Sequence, residues 1–383
     1  MKENPLINLT DLGQSIWLDY ISRDMIDTGE LQKLIDEDGL RGVTSNPSIF
    51  DKAISGSKDY DDDISFLARE GKDIQEIYEA LTVTDVQRAA DAFRPCFDKL
   101  QGADGFISLE VNPHLAHDTH GTIREARRLW SKLDRPNVFI KVPSTKEGLL
   151  AIRQLVSEGI NINVTLLFGL PRYREVADAY LRGLEDRAAQ GLHLNVASVA
   201  SFFLSRIDVL LDPKLEKIAQ AGGFLAAAAG SLKGEVAIAS AKVAYSSYLQ
   251  IFGSQRFKVL AQKGAQVQRL LWASTSTKNP DYPDTKYVEP LIGPKTINTM
   301  PLDTLKAYRD HGNPAVRLTD GLEKAAADLQ RLPELGLDLN EATQQLEDEG
   351  VEKFNQPYDS LMCTLEGKRR EALGSSEERR SLG

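Results

Sequence analysis

Lys141 stands at the end of an otherwise apolar, β-rich run, Asn137-Val138-Phe139-Ile140-Lys141-Val142-Pro143-Ser144-Thr145. Alternation along a strand puts Phe139, Lys141 and Pro143 on one face and Val138, Ile140 and Val142 on the other. If the lysine face is buried, the charged amine loses solvation and its pKa falls from the usual value of about 10.4. The neutral amine is then populated, which is what a Schiff-base nucleophile requires. The plainer alternative is a lysine that snorkels to the strand end or pairs with a carboxylate. The choice depends on what the other strands bring beside it.

Seven further polar residues share that placement. Asp19, Asn46, Glu110, Asn163, Thr165, Ser201 and Ser274 each lie at or near the C-terminal end of a predicted strand, on the face opposite the more aliphatic one. Singly, each has a local explanation: Asp19 can cap the next helix, Asn46 can shape its Pro-containing turn, Thr165 can satisfy a nearby carbonyl. Together with Lys141 they also fit one chemistry. Breaking a carbon–carbon bond next to a carbonyl needs a sink for the electron pair, which an iminium supplies, and a base for the hydroxyl proton, which a carboxylate supplies. Asp19 and Glu110 could instead only pair with Lys141, since a cationic neighbour keeps a carboxylate ionised.

The elements that must position these groups alternate. Predicted strands cover Ser15–Tyr20, Gly42–Asn46, Phe106–Val111, Val138–Pro143, Ile160–Phe168, Leu192–Phe203, Val267–Ser274 and Asn298–Pro301, with helical patterns between them. Capping boxes are expected at Thr84/Gln87, Thr122/Glu125 and Ser144/Glu147, and Pro171 is expected to open a helix running to about Gln190. Two or three helices are expected between Ser48 and Gln101. Eight strands alternating with helices predict an α/β fold of the (β/α)₈ TIM-barrel type, whose strand ends converge on one mouth where active sites form. A doubly wound sheet is disfavoured because no Gly-x-Gly-x-x-Gly follows the first strand. The barrel domain is expected over 1–310, with an inserted set of two or three helices over about 206–263. A helical C-terminal extension over 311–373, packed on the barrel, and an irregular, disordered tail over 374–383 complete the expected organisation.

Composition narrows the partners. The formal charge of −10 argues against a nucleic-acid surface, and no 18-residue apolar run suggests a membrane span. Two cysteines without metal-ligand spacing fit a reduced, cytoplasmic setting, and no signal peptide is read at the N-terminus. His114, His117 and His120, with Asp118 among them, invite a metal. Helical spacing would swing His120 away, and no His-Glu-x-x-His pattern occurs, so a polar loop after the third strand is expected. Either a monomer or a homodimer is compatible with apolar positions such as Phe354, Leu361 and Met362 in the last helices.

Three stretches resemble the transaldolase family. Thr44-Ser45-Asn46-Pro47-Ser48 resembles its second-strand signature, Phe139–Thr145 its Schiff-base segment and Gly159–Phe168 its fifth strand. The resemblance covers roughly Ser15 to Asp310 and implies that Lys141 attacks a ketose C2 carbonyl. It implies further that Glu110 and Thr165 handle the water of imine formation and that Asp19 moves the proton of the C4 hydroxyl. Asn46, Asn163 and Ser201 would bind the dihydroxyacetone portion. No metal or other cofactor is implied, and phosphorylated sugars would be the substrates. Arg206, Ser274 and Lys278 are the candidates for an anion site at the mouth. Related enzymes commonly carry arginine in the latter loop, so Lys278 departs from the pattern and is also readable as an ordinary exposed lysine. A class I aldolase releasing free dihydroxyacetone, and a non-catalytic sugar-phosphate-binding protein, are the competing functions.

Overall fold

The computed structural model describes residues 4–381, with side chains as far as Gly374. Eight strands form a closed parallel ring: β1 (Gln14–Leu18), β2 (Gly42–Val43), β3 (Phe106–Glu110), β4 (Val138–Pro143), β5 (Ile162–Leu167), β6 (Ser198–Phe203), β7 (Arg269–Ala273) and β8 (Thr296–Met300). They pair in sequence order and β8 closes on β1. The expected (β/α)₈ barrel is therefore the fold. Nearly every strand residue is buried on both faces, because helices cover the outside and side chains fill the inside.

Aromatic rings pack the interior beneath the mouth. Phe106 stacks on Phe139 with centroids 4.3 Å apart, and Trp17 meets Phe139 at 6.1 Å. A side chain at residue 42 would strike the Trp17 ring at 2.5 Å, so Gly42 makes room for it. Below, Asp104 accepts hydrogen bonds from Trp17 Nε1 at 2.8 Å and from Ser15, and Arg269 lies across it. The rings thus form an apolar layer below the mouth, and anything polar placed above it is held in a low-dielectric setting.

Several strands were expected to run one to six residues beyond where pairing stops, whereas β4 has its expected bounds and β8 begins two residues earlier than expected. Only Gly42 and Val43 pair with β3, since the chain from Thr44 already turns into the helix Pro47–Ser55. Residues 192–197 precede β6 without joining it. In β5 the ladder shifts between Val164 and Leu167, and Leu166 has φ +56°, so the expected alternation ends at Thr165.

The three expected capping boxes do not form, and other residues cap these helices. Asp73 and Glu76 cap the helix Ile74–Lys99, with Thr84 inside it bonding back to the Ala80 carbonyl. Asp118, not Thr122, caps Thr119–Leu133. Thr145, not Ser144, caps Lys146–Glu158, because the Ser144 amide still donates to the Thr165 carbonyl at 2.8 Å and the chain leaves the ladder one residue later. The helix Leu170–Ala189 does open on Pro171.

Three helices fill the stretch between β2 and β3, as expected: Pro47–Ser55, Asp61–Arg69 and Ile74–Lys99. Between β6 and β7 there are four, Ser205–Gln220, Ala226–Leu232, Val236–Gly253 and Gln255–Ala261, against the two or three expected. Gly222, Gly223 and Gly234 adopt positive φ there and break what reads in sequence as continuous helix. An unexpected N-terminal helix, Pro5–Asp11, packs near β1. The helices after β8 are Leu302–His311, Leu322–Gln330 and a final one, Leu339–Ser381, which continues through most of the stretch expected to be irregular. Glu377, Glu378, Arg379 and Arg380 are good helix formers, which offsets the polar composition on which that expectation rested. The end of the expected tail, Leu382 and Gly383, lies outside the described residues. Among the described residues no helix is long and apolar enough to cross a membrane.

Candidate active site

Register places Glu110 beside Lys141 and Lys141 beside Asn163, so three neighbouring strands present these side chains in one layer above the aromatic floor. Lys141 is 4% exposed. Its Nζ donates to the Ser45 carbonyl at 2.9 Å and faces Glu110 Oε2 at 3.1 Å. That carboxylate accepts no aligned hydrogen bond, and Thr165 Oγ1 in the next strand is likewise buried without a partner. Burial pushes the Glu110 carboxyl up, to about 7, against the opposing pull of Lys141. A carboxyl so placed can both take and give a proton near neutrality.

Asn163 is fixed from two sides. Its Nδ2 donates to Ser108 Oγ at 3.0 Å, and its Oδ1 accepts from Ser201 Oγ at 2.7 Å. Ser201 on β6 also lines a cleft of about 1010 Å³ that opens at the strand ends. Asn46 has a double role: its Oδ1 caps the helix Pro47–Ser55 by accepting from Ile49 N at 3.0 Å, while the residue lines the same cleft and has its amide nitrogen left to offer there.

Asp19, one residue past β1, is walled by protein yet borders the cleft. Burial raises its pKa, with Lys141, Thr44, Lys278 and Arg206 acting in the opposite direction. Thr44 Oγ1 donates to Asp19 Oδ1 at 2.7 Å and must then accept from Thr299 Oγ1, also 2.7 Å away. The chain Thr299, Thr44, Asp19 fixes the carboxylate rotamer from two other strand ends. Neither Thr44 nor Thr299 was expected at the site from the sequence.

The cleft's outer wall is cationic. Arg206 opens the helix Ser205–Gln220, its guanidinium carbon 5.5 Å from the Phe203 ring and its Nη1 buried without a partner. Lys278 lines the same cleft, with Nζ donating to Ser276 Oγ at 2.6 Å. Burial lowers both pKa values, and Arg206 and Lys52 further depress Lys278 by repulsion. Ser274 holds a strained φ of +55° and its hydroxyl meets Ser205 Oγ at 2.9 Å, tying the β7 end to the helix that bears Arg206. A half-buried arginine with an unpartnered N–H and an exposed lysine that repels it, both lining the cleft, form a site suited to an anion. Asp208 and Asp212, further along that helix, accept from Tyr287 and Tyr282 of the β7–β8 loop at 2.8 Å each, so the backbone elements carrying Arg206 and Lys278 are clamped together.

All ten expected site residues thus sit at the barrel mouth. Asp19, Asn46, Lys141, Ser201, Arg206, Ser274 and Lys278 border the cleft, and Glu110, Asn163 and Thr165 lie buried on the strands beside Lys141. Phe354, from the final helix, was not anticipated as a site residue: its ring centroid is 5.4 Å from Lys141 Nζ. No periodic signal in the sequence ties a residue so distant to the strand ends. The histidines stay apart from this chemistry. His114 pairs with Asp359 and His117 with Glu147, and no group of three or more metal-ligating side chains occurs among the described residues. Cys96 and Cys363 are free thiols.

Comparison with known proteins agrees with this geometry. The family model described as transaldolase/fructose-6-phosphate aldolase matches residues 16–365. A transaldolase of Thiobacillus denitrificans is 49% identical over 359 residues, covering 94% of this chain and 98% of its own. Transaldolase 2 of a Nostoc species is 47% identical over 374 residues, covering 96% and 98%. A transaldolase of Acidothermus cellulolyticus is 49% identical over 376 residues, covering 96% and 99%. With a family match running from the first strand into the last helix, and relatives near half identical over almost their whole length, this chain belongs to the transaldolase/fructose-6-phosphate aldolase family.

Proposed function

We propose that the chain is a transaldolase of the non-oxidative pentose phosphate pathway. It moves a dihydroxyacetone unit from sedoheptulose 7-phosphate to glyceraldehyde 3-phosphate, giving erythrose 4-phosphate and fructose 6-phosphate. The observation that carries this reading is a lysine amine 3.1 Å from a buried carboxylate, opening onto a cleft with a cationic outer wall.

The steps follow from the positions of the groups. Lys141 Nζ adds to the ketose C2 carbonyl, and the resulting carbinolamine loses water to give an iminium. Glu110 supplies and recovers the protons of that dehydration, and the unpaired Thr165 hydroxyl helps hold the departing water. Asp19 takes the proton of the C4 hydroxyl as the C3–C4 bond breaks; the electron pair flows into the iminium, the aldehyde leaves and an enamine remains. The enamine's C3 then attacks the acceptor aldehyde, whose oxygen recovers the proton from Asp19. Water hydrolyses the new iminium and frees the amine. Asn46, Asn163 and Ser201 hold the hydroxyls of the three-carbon unit, while Arg206, Ser274 and Lys278 take the phosphate.

Borohydride reduction in the presence of fructose 6-phosphate, followed by peptide mass mapping, tests the reading. A reduced adduct on the Lys141 peptide is expected; a non-catalytic sugar-phosphate-binding protein would show none. The anion site has its own test. Lys278→Ala is expected to raise KM for phosphorylated sugars by about 10-fold or more, the scale of a lost charge-assisted hydrogen bond. Turnover of unphosphorylated dihydroxyacetone donors should be spared. An unchanged preference in steady-state kinetics would move phosphate recognition elsewhere.

A further inference from the structure

The helix Leu339–Ser381 contributes nothing to closing the strand ring, yet it is fastened across the mouth. Arg172 holds Glu347 at 3.1 Å, both side chains nearly buried. Tyr358 OH accepts from Asn112 Nδ2 at 3.2 Å and its ring meets Tyr78 edge-on at 5.3 Å. Lys368 donates to the Ser57 carbonyl at 3.2 Å and to Asp61 at 2.5 Å. Between the first two ties the helix comes down on β5: a methyl at Gly350 would lie 3.0 Å from Leu166 Cδ2, at the bulge where Leu166 leaves the strand alternation. Pro357 lies in the same stretch and cannot donate to the Lys353 carbonyl one turn back. This close approach brings Lys353 and Phe354 into the cleft wall, and the Phe354 ring, 5% exposed, faces the Lys141 amine.

We propose that Phe354 shields the nitrogen of the Lys141 imine from water and thereby sets the partition between transfer and release of free dihydroxyacetone. The proposal rests on the Schiff-base reading above. The enamine left after C3–C4 cleavage has two fates. In transfer, C3 bonds to the acceptor's aldehyde carbon. In release, C3 takes a proton, water adds to C2 of the resulting iminium and the C2–N bond breaks, freeing dihydroxyacetone and the amine, with the proton returned on expulsion of nitrogen. Transfer also ends with water at C2, but release differs in needing that water, next to the nitrogen, before an acceptor has captured the enamine. An aromatic face over that nitrogen occupies the space from which water would approach and favours the cationic iminium over its hydrolysed products. Glu110 faces the amine as well, so proton traffic need not pass the ring.

The test uses the full chain and three variants, Phe354→Ala, Phe354→Leu and Gly350→Ala, the last crowding the helix against Leu166 Cδ2 without altering the ring. Dihydroxyacetone release from fructose 6-phosphate without acceptor is divided by the rate of sedoheptulose 7-phosphate formation with erythrose 4-phosphate. The ratio is expected to rise about tenfold in Phe354→Ala, the scale of a lost cation–π contact. A smaller rise is expected in Phe354→Leu and a rise in Gly350→Ala, with borohydride adducts still forming on Lys141. An unchanged ratio with trapping intact overturns the shield. If Phe354→Ala does not fold, an unchanged ratio in both Phe354→Leu and Gly350→Ala overturns it equally. Absence of any adduct in the unsubstituted chain would instead remove the imine on which the proposal stands.

Discussion

Lys141→Met is expected to lower kcat/KM for transfer by a factor on the order of 10⁶, the scale on which loss of a covalent nucleophile acts. Methionine matches the length and apolar stem of lysine, so the space above Phe139 stays filled and the effect isolates the amine. The fold is expected to survive. Glu110 loses its cationic neighbour, but burial already holds its carboxyl near neutrality, so it can take up a proton instead of remaining an unpaired buried charge. Circular dichroism of the variant should match that of the unsubstituted chain while borohydride adds no mass to the peptide carrying residue 141. Activity retained within tenfold would place the nucleophile on another lysine and leave the barrel-mouth layer without a catalytic role.

Asp19→Asn is expected to separate two steps that the lysine variant abolishes together. Asparagine keeps the shape and can still accept from Thr44, so the carboxylate's position is preserved while its basicity is lost. Imine trapping with fructose 6-phosphate should proceed nearly as before, because amine addition and dehydration draw on Glu110. Carbon–carbon cleavage should slow by roughly 10²–10⁴-fold, the usual contribution of a general acid–base group. Single-turnover release of the aldehyde, measured beside trapping, distinguishes the steps. Equal loss of both would mean that Asp19 acts chiefly as a counter-ion to the cations around it, Lys141, Lys278 and Arg206.

The proposed anion site depends on contacts between distant segments. Arg206 and Lys278 repel one another, and no sequence pattern requires them to meet. They do so because Ser205 bonds to Ser274 and because Tyr282 and Tyr287 hold the β7–β8 loop to the helix that Arg206 opens. Under the proposed function, a pair of cations held together in this way would bind a phosphate without first having to be gathered, and the repulsion between them would be relieved when the dianion enters.

Much of the polar layer at the barrel mouth was legible in the chain alone, for a local reason. A strand alternates with period two, so an amine, a carboxylate or an amide standing at the end of an aliphatic run must face the barrel interior once the other face meets the helices; Lys141, Glu110 and Asn163 could be placed from their neighbours. Strand ends and caps were less legible. Ser/Thr-x-x-Glu/Gln also occurs inside helices, and whether it caps depends on where the ladder releases the backbone, as the Ser144 amide shows by still bonding to β5. What only the tertiary structure decided is the surroundings of those groups. Thr44 and Thr299 steer Asp19 because β2 and β8 flank β1. Phe354 reaches Lys141 because Gly350 and the β5 bulge let the last helix settle on the mouth. Contacts of that kind join residues from 25 to 255 positions apart and leave no periodic trace, since they are selected by packing and not by the conformation of either segment alone.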